Sequence, residues 1–131
     1  MPATLYTVNE HEYAHVEASP KYFTEVTVTA NSEKKKKQIV VFDIDGEQTK
    51  IEGTGDEEEI GTLNLPESFK AIKVYVSYED NDGNTQQADE LQCGDPYEAG
   101  GGYNMATIRA ENGDDDDYEV EIKFEGKEES R

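Results

Sequence analysis

The sequence predicts an all-β protein, a single-domain antiparallel β-sandwich, and three observations predict it. Apolar residues recur with a period of two, the breaks between such runs carry turn chemistry, and no stretch of a dozen residues shows the 3.6 period and caps of a helix. Val26, Val28 and Ala30 alternate with Glu25, Thr27 and Thr29, which puts one face inward and one in water. Ile39-Val40-Val41-Phe42 continues into Asp43-Ile44, an apolar run suited to burial on both faces. Ile72, Val74, Val76 and Tyr78 alternate with Lys73, Tyr75 and Ser77, and Ala106, Ile108 and Ala110 with Thr107 and Arg109. Tyr118, Val120, Ile122 and Phe124 alternate with Glu119, Glu121 and Lys123. The first 24 residues are the least patterned, though His11, Tyr13 and His15 would share one strand face. Asp45-Gly46 separates residues 39–44 from 47–52, and Asp80-Asn81-Asp82-Gly83-Asn84 separates 72–79 from 85–92; glycine tolerates the positive φ that such hairpin turns need. Residues 53–59 read as a loop and 93–102 as a longer one. Strands at this spacing indicate a sandwich over residues 1–126, followed by a disordered acidic tail at 127–131.

A chain of 131 residues has the length of one domain and buries a core without needing disulfides or metals. Its formal net charge is -19 at pH 7, from 31 acidic and 12 basic residues. That charge excludes nucleic acid, whose phosphates require clustered Lys and Arg, and direct binding to anionic membranes. The one basic run, Lys34 to Lys37, reads as a solvated loop between strands. Cys93 is the only cysteine, so no intramolecular disulfide forms; it reads as a free structural thiol suited to a reducing compartment. The N-terminus has no basic region followed by an apolar one, and no stretch approaches the ~20 apolar residues of a membrane span. The expectation is a soluble, cytoplasmic protein. No catalytic constellation appears: there is no Gly-x-Ser-x-Gly elbow and no His-Glu-x-x-His helix, and Gly100-Gly101-Gly102 precedes a strand rather than a helix. The chain is not expected to be an enzyme.

The densest chemistry lies at Glu111, Asp114, Asp115, Asp116 and Asp117, just ahead of the last alternating strand. Four adjacent Asp side chains repel one another unless water, salt or a hard cation screens them, and calcium takes its oxygens from such groups. The segment is therefore either a solvated acidic turn or a metal-binding loop. Glu111, Asp115 and Asp117, spaced i, i+4 and i+6, can converge on one ion in an irregular loop. Neither Asp-Gly turn is an EF-hand: with Gly83 or Gly46 at the sixth position, the first position falls on Tyr78 or Val41. His11 and His15 lack a third nitrogen or sulfur ligand nearby and read as a polar strand face.

The stretch Phe23-Thr-Glu-Val-Thr-Val-Thr-Ala-Asn-Ser32, then Ile60-Gly-Thr62, then Glu111-Asn-Gly-Asp-Asp-Asp-Asp-Tyr118 with the closing strand to Gly126 resembles the calcium-dependent bacterial fucose- and mannose-binding lectins. The likeness spans roughly residues 22–126 and implies an antiparallel sandwich of about this length. It further implies two adjacent calcium ions that meet the sugar hydroxyls, with Glu111, Asp115, Asp117 and Asn31 as metal ligands and Ser32, Asp114 and Asp116 beside the sugar. The family places an Asn and then an Asp after the loop tyrosine, where this chain has Glu119 and Val120. A neighbouring subunit's C-terminal carboxylate also serves in the family, whereas five residues follow Gly126 here. A shorter likeness, Val41-Phe-Asp43-Ile-Asp45 with Asp56-Glu-Glu-Glu-Ile60-Gly61, resembles part of a C2 domain and implies calcium-dependent phospholipid binding. The expectation is a non-catalytic lectin-like binder with calcium as cofactor and a glycan as partner. The alternative is a dimerising interaction protein, homo- or heterodimeric, that keeps the sandwich without the sugar site and uses faces rich in tyrosine (Tyr75, Tyr78, Tyr103, Tyr118).

Overall fold

The computed structural model describes residues 3–8, 12–18, 22–31, 37–79, 82–88, 90–98, 100–111 and 120–127. Among them the chain is all strand: β1 (Ala3–Val8), β2 (Tyr13–Ala18), β3 (Glu25–Asn31), β4 (Gln38–Ile44), β5 (Glu47–Gly53), β6 (Asp56–Asn64), β7 (Ile72–Glu79), β8 (Thr85–Gln87), β9 (Glu90–Cys93), β10 (Tyr97–Glu98), β11 (Tyr103–Glu111) and β12 (Val120–Lys127). One sheet runs β1-β2-β7-β4-β5, with β8 also on β7. The other runs β10-β11-β12-β3-β6, with β9 also on β11. Every pairing is antiparallel, so the predicted sandwich is the observed one.

The period-two residues fill the space between the sheets. Val26, Val28 and Ala30 of β3, Ala106, Ile108 and Ala110 of β11, and Val120, Ile122 and Phe124 of β12 are fully buried. They face Ala14 and Val16 of β2, Val40 and Phe42 of β4, and Ile72 and Val74 of β7. Phe42 and Phe124 meet edge-on across the layers with ring centroids 6.4 Å apart, and Phe23 packs on Phe124 at 5.5 Å. Each buried Phe contributes about 1.5–3 kcal/mol by leaving water. The polar atoms enclosed here have partners, as burial requires: the Asn104 side-chain amide donates to the Tyr22 carbonyl at 3.2 Å.

Several local expectations are corrected. The run at 39–44 buries one face only: Val40 and Phe42 point inward, while Ile39 and Val41 are half-buried opposite Ser77 and Tyr75. Residues 53–59 are not a loop, because β5 reaches Gly53, only Thr54 and Gly55 connect, and β6 begins at Asp56. Two register shifts between β6 and β3 hide the alternation there, and Glu57 adopts φ 59° at one of them. Residues 85–92 do not form one strand. Ala88, buried and donating to the Val76 carbonyl at 3.0 Å, marks the crossing where the chain leaves β7's sheet for β11's. Within 93–102, Tyr97 and Glu98 pair with Met105 and Asn104 as β10. The last strand runs to Lys127, the first residue assigned to the tail.

The C2-like reading fails on geometry. Asp45, at φ 49°, accepts backbone N–H groups of Lys70 and Ala71 at 3.0 and 3.1 Å, and Asp43 accepts that of Gly46 at 2.9 Å. Asp45 thus ties the β4–β5 turn to the chain entering β7, and Asp43 closes the turn itself. Asp56 lies past the far end of β5, a seven-residue strand about 23 Å long, so the three Asp do not share a loop.

Gly126 lies where β12 passes beneath the segment entering β3. A Cβ there would stand 2.8 Å from the Phe23 Cα, against backbone that cannot yield, because Thr24 donates to the Glu125 carbonyl at 2.9 Å. Gly126→Ala is therefore expected to lower stability by about 1–3 kcal/mol, the usual cost of overpacking. Urea denaturation checks this; an unchanged midpoint would contradict the close crossing.

Candidate functional site

Three strands bring two of the expected site residues, Glu111 and Asn31, to one end of the second sheet. Ala110, Val120 and Ala30 form a row across β11, β12 and β3, and all three point into the core. One residue further, Glu111 and Asn31 turn to the outer face, both half-buried. They stand on either side of β12, two strand spacings or roughly 10 Å apart at the backbone. The acidic segment leaves β11 at Glu111 and returns at Val120, so both its ends are anchored in this row. Asp114, Asp115, Asp116 and Asp117, together with Ser32, lie outside the described residues. Among the described residues, no three His, Cys, Asp or Glu side chains converge to hold a metal.

The neighbourhood is acidic beyond the predicted run. Asp56 pairs with Asn31 in the β3–β6 register, placing the start of β6 at the same end, with Glu57 and Glu58 exposed beside it. Glu90 lies directly opposite Glu111 on β9, a like-charge pair that repels across the two strands. Gln92 donates its side-chain amide to Glu111 Oε1 at 3.3 Å. Gln92 and Glu90 escape a sequence reading because only the β9–β11 pairing, 19 residues apart in chain, brings them here. Val120 is fully buried, so the position where the family carries a carboxylate is a core residue.

The remaining candidates resolve into structure. His15 stacks on Tyr6 at 4.8 Å and sits 3.0 Å from Glu17, a polar strand-face arrangement; His11 lies outside the described residues. Lys37, the last of the basic run, pairs with Glu52 at 3.4 Å and Glu79 at 3.9 Å. At the opposite end, Glu25 and Glu125 face each other across β3 and β12, and the Tyr103 hydroxyl donates to Glu125. That hydrogen bond, then burial, then the charges of Glu125 and Glu25 raise the Tyr103 phenol above its ordinary value.

The profile of the fucose-binding lectin II (PA-IIL) family matches residues 17–122, and the chain belongs to that family. Comparison with curated protein sequences gives no match. Three solved structures share the fold. Chromobacterium violaceum lectin CV2L, in complex with α-methyl-fucoside, superposes with a TM-score of 0.71 at 19% identity over 88% of this chain and 96% of its own. The Ralstonia solanacearum high-affinity mannose-binding lectin gives 0.65 at 19% identity over 98% of each chain. The C-terminal domain of the BC2L-C lectin from Burkholderia cenocepacia gives 0.66 at 18% identity over 88% and 96%.

Cys93 is the free cysteine of the chain, packed against the core, and burial pushes its thiol from 9.0 up to about 11. The thiolate is the reactive form. At pH 8 its population falls by about two powers of ten against an ordinary thiol. Iodoacetamide is thus expected to alkylate Cys93 roughly 100-fold more slowly than a cysteine peptide, with the rate still climbing as pH approaches 11. Mass spectrometry of alkylation against pH checks this, and a rate that levels off near pH 9 would refute it.

Proposed function

We propose that this chain is a non-catalytic carbohydrate-binding protein in which calcium, held at the β11–β12 end of the second sheet, bridges protein and sugar hydroxyls. One observation carries the reading: the fold sets Glu111 and Asn31 on a shared outward face, flanking the strand that receives the acidic segment. The oxygens of Glu111, Asn31, Asp115 and Asp117 suit a hard cation, and calcium tolerates the irregular geometry of such a set. Two strand spacings lie within reach of an Asn and a Glu side chain joined through metal–oxygen distances of about 2.4 Å. A net charge of -19 concentrates divalent cations around the molecule. When bound, calcium supplies coordination positions for sugar hydroxyls. Ser32, Asp114 and Asp116 would flank the sugar. Because Val120 is a core residue, the donor set holds one ion firmly rather than a pair. The sugars carried by CV2L and named for the Ralstonia lectin make fucosides and mannosides the first probes.

Calorimetry and thermal unfolding on chelator-treated protein test the reading. Calcium at 100 times its Kd is expected to stabilise the fold by about 2.7 kcal/mol, raising Tm by several degrees. Asp115→Ala combined with Asp117→Ala is expected to abolish both the calcium heat and the Tm rise. Heat on adding α-methyl fucoside or α-methyl mannoside should appear only with calcium present. No thermal shift at millimolar calcium, together with no sugar heat, would rule the reading out.

A further inference from the structure

A recess opens on the same outer face, further along β11. It is a groove of about 350 Å³ lined by Gln92, Cys93, Gly94, Tyr97, Thr107 and Arg109. The register explains it. Gln92 stands opposite Arg109, and Tyr97 stands opposite Met105. Between them the edge is Cys93, Gly94, Asp95 and Pro96, and Gly94 brings only its backbone against the strand, donating to the Thr107 carbonyl at 2.9 Å. With no side chain at Gly94, Thr107 forms a floor between two raised walls. The volume lies in the range of small-ligand pockets, about 300–1,000 Å³.

We propose that this groove is an extension subsite for the further units of a neutral oligosaccharide whose terminal sugar occupies the loop-end site; the inference rests on the carbohydrate reading above. Three features support it. First, Tyr97 is 52% exposed on a strand edge, a large ring left in water where an apolar contact is available. Its hydroxyl approaches Met105 Sδ at 3.6 Å, which lays the ring along the groove wall. A flat aromatic surface suits the C–H face of a pyranose, and tyrosine loses little conformational freedom on binding. Second, the polar walls are held in place from outside the groove. Arg109 Nε donates to Glu121 at 3.2 Å, and Gln92 donates to Glu111 at 3.3 Å. Groups already positioned cost less to engage with a ligand. Thr107, Gln92 and Arg109 then offer hydroxyl, amide and guanidinium partners to sugar hydroxyls. Third, the groove is continuous with the first site. Arg109 is two residues from Glu111, about 7 Å along the strand, and Gln92 touches Glu111 itself. An occupant leaving the loop end along the outer face passes over Arg109 and Thr107 before reaching Tyr97. The acidic surroundings, Glu111 and Glu121 among them, disfavour anionic saccharides and select neutral ones.

The test compares short and extended probes on calcium-loaded protein by calorimetry: α-methyl mannoside against mannotriose, and α-methyl fucoside against a trisaccharide ending in fucose. The expected result is a gain of roughly tenfold in affinity from methyl glycoside to trisaccharide, the scale of one aromatic stacking contact with its polar neighbours. Tyr97→Ala is expected to erase that gain while leaving methyl glycoside affinity unchanged, and Tyr97→Phe to retain it. The edge position of Tyr97 makes both variants compatible with folding, which unfolding curves confirm. Methyl glycoside binding without a trisaccharide gain, or a gain untouched by Tyr97→Ala, overturns the groove and leaves the carbohydrate reading standing. Equal loss for both probe lengths also overturns it, since Tyr97 would then act through the fold. Absence of binding to all four probes overturns the groove and the carbohydrate reading together.

Discussion

β12 fits between β3 and β11 in one register, because Val120, Ile122 and Phe124 are the side chains that fill the layer between the sheets. A slip by one residue would carry Glu121, Lys123 and Glu125 into a space without water, and unpaired buried charge is the costliest error a sandwich can make. Phe124 is the pivot, touching Phe23 on its own side and Phe42 from the facing sheet. The same register decides where the acidic segment starts and stops. Once Ala110, Val120 and Ala30 are aligned in the core, Glu111 and Asn31 follow on the outer face without further instruction. The placement of the candidate ligands is a by-product of packing, which is why such a site can be built at the end of an ordinary strand pair.

The charge distribution separates what holds the fold from what serves the site. Arg109 with Glu121, and Lys50 and Lys37 with Glu52, are exposed pairs at 3.2 to 3.5 Å and contribute little to stability. The apolar layer carries the stability, and the surplus of acidic side chains is left for the surface. At the loop end that surplus is concentrated by pairing, with Glu90 opposite Glu111 and β6 entering at Asp56. A cation bound there would relieve repulsion that the fold otherwise tolerates.

The parts of the fold legible in the sequence are those where one face is apolar without interruption. β3, β7, β11 and β12 read directly because Val, Ile, Ala and Phe recur at every second position. β6 does not, because register shifts near Thr29 and Asn31 put Ile60 and Glu57 out of step, and its first residues look like an acidic loop. The chain from β8 to β9 reads as one strand because nothing local announces that Ala88 changes sheets; the reason is a long-range hydrogen bond to Val76. The site divides in the same way. Glu111 follows from the spacing of the acidic run and from the lectin likeness, and Asn31 from the lectin likeness alone. Gln92, Glu90 and the Tyr97 groove depend on which strand lies beside β11, and that is settled by tertiary pairing rather than by any local pattern.

The edge that borders the groove has one more consequence. Its two strands are four and two residues long, and Pro96, which lacks an amide proton, sits between them. An incoming chain therefore meets no unbroken ladder of donors and acceptors to copy. The interruption that opens this groove also guards the flank against fibril growth, so filling it with a straight, continuous strand would trade solubility for regularity.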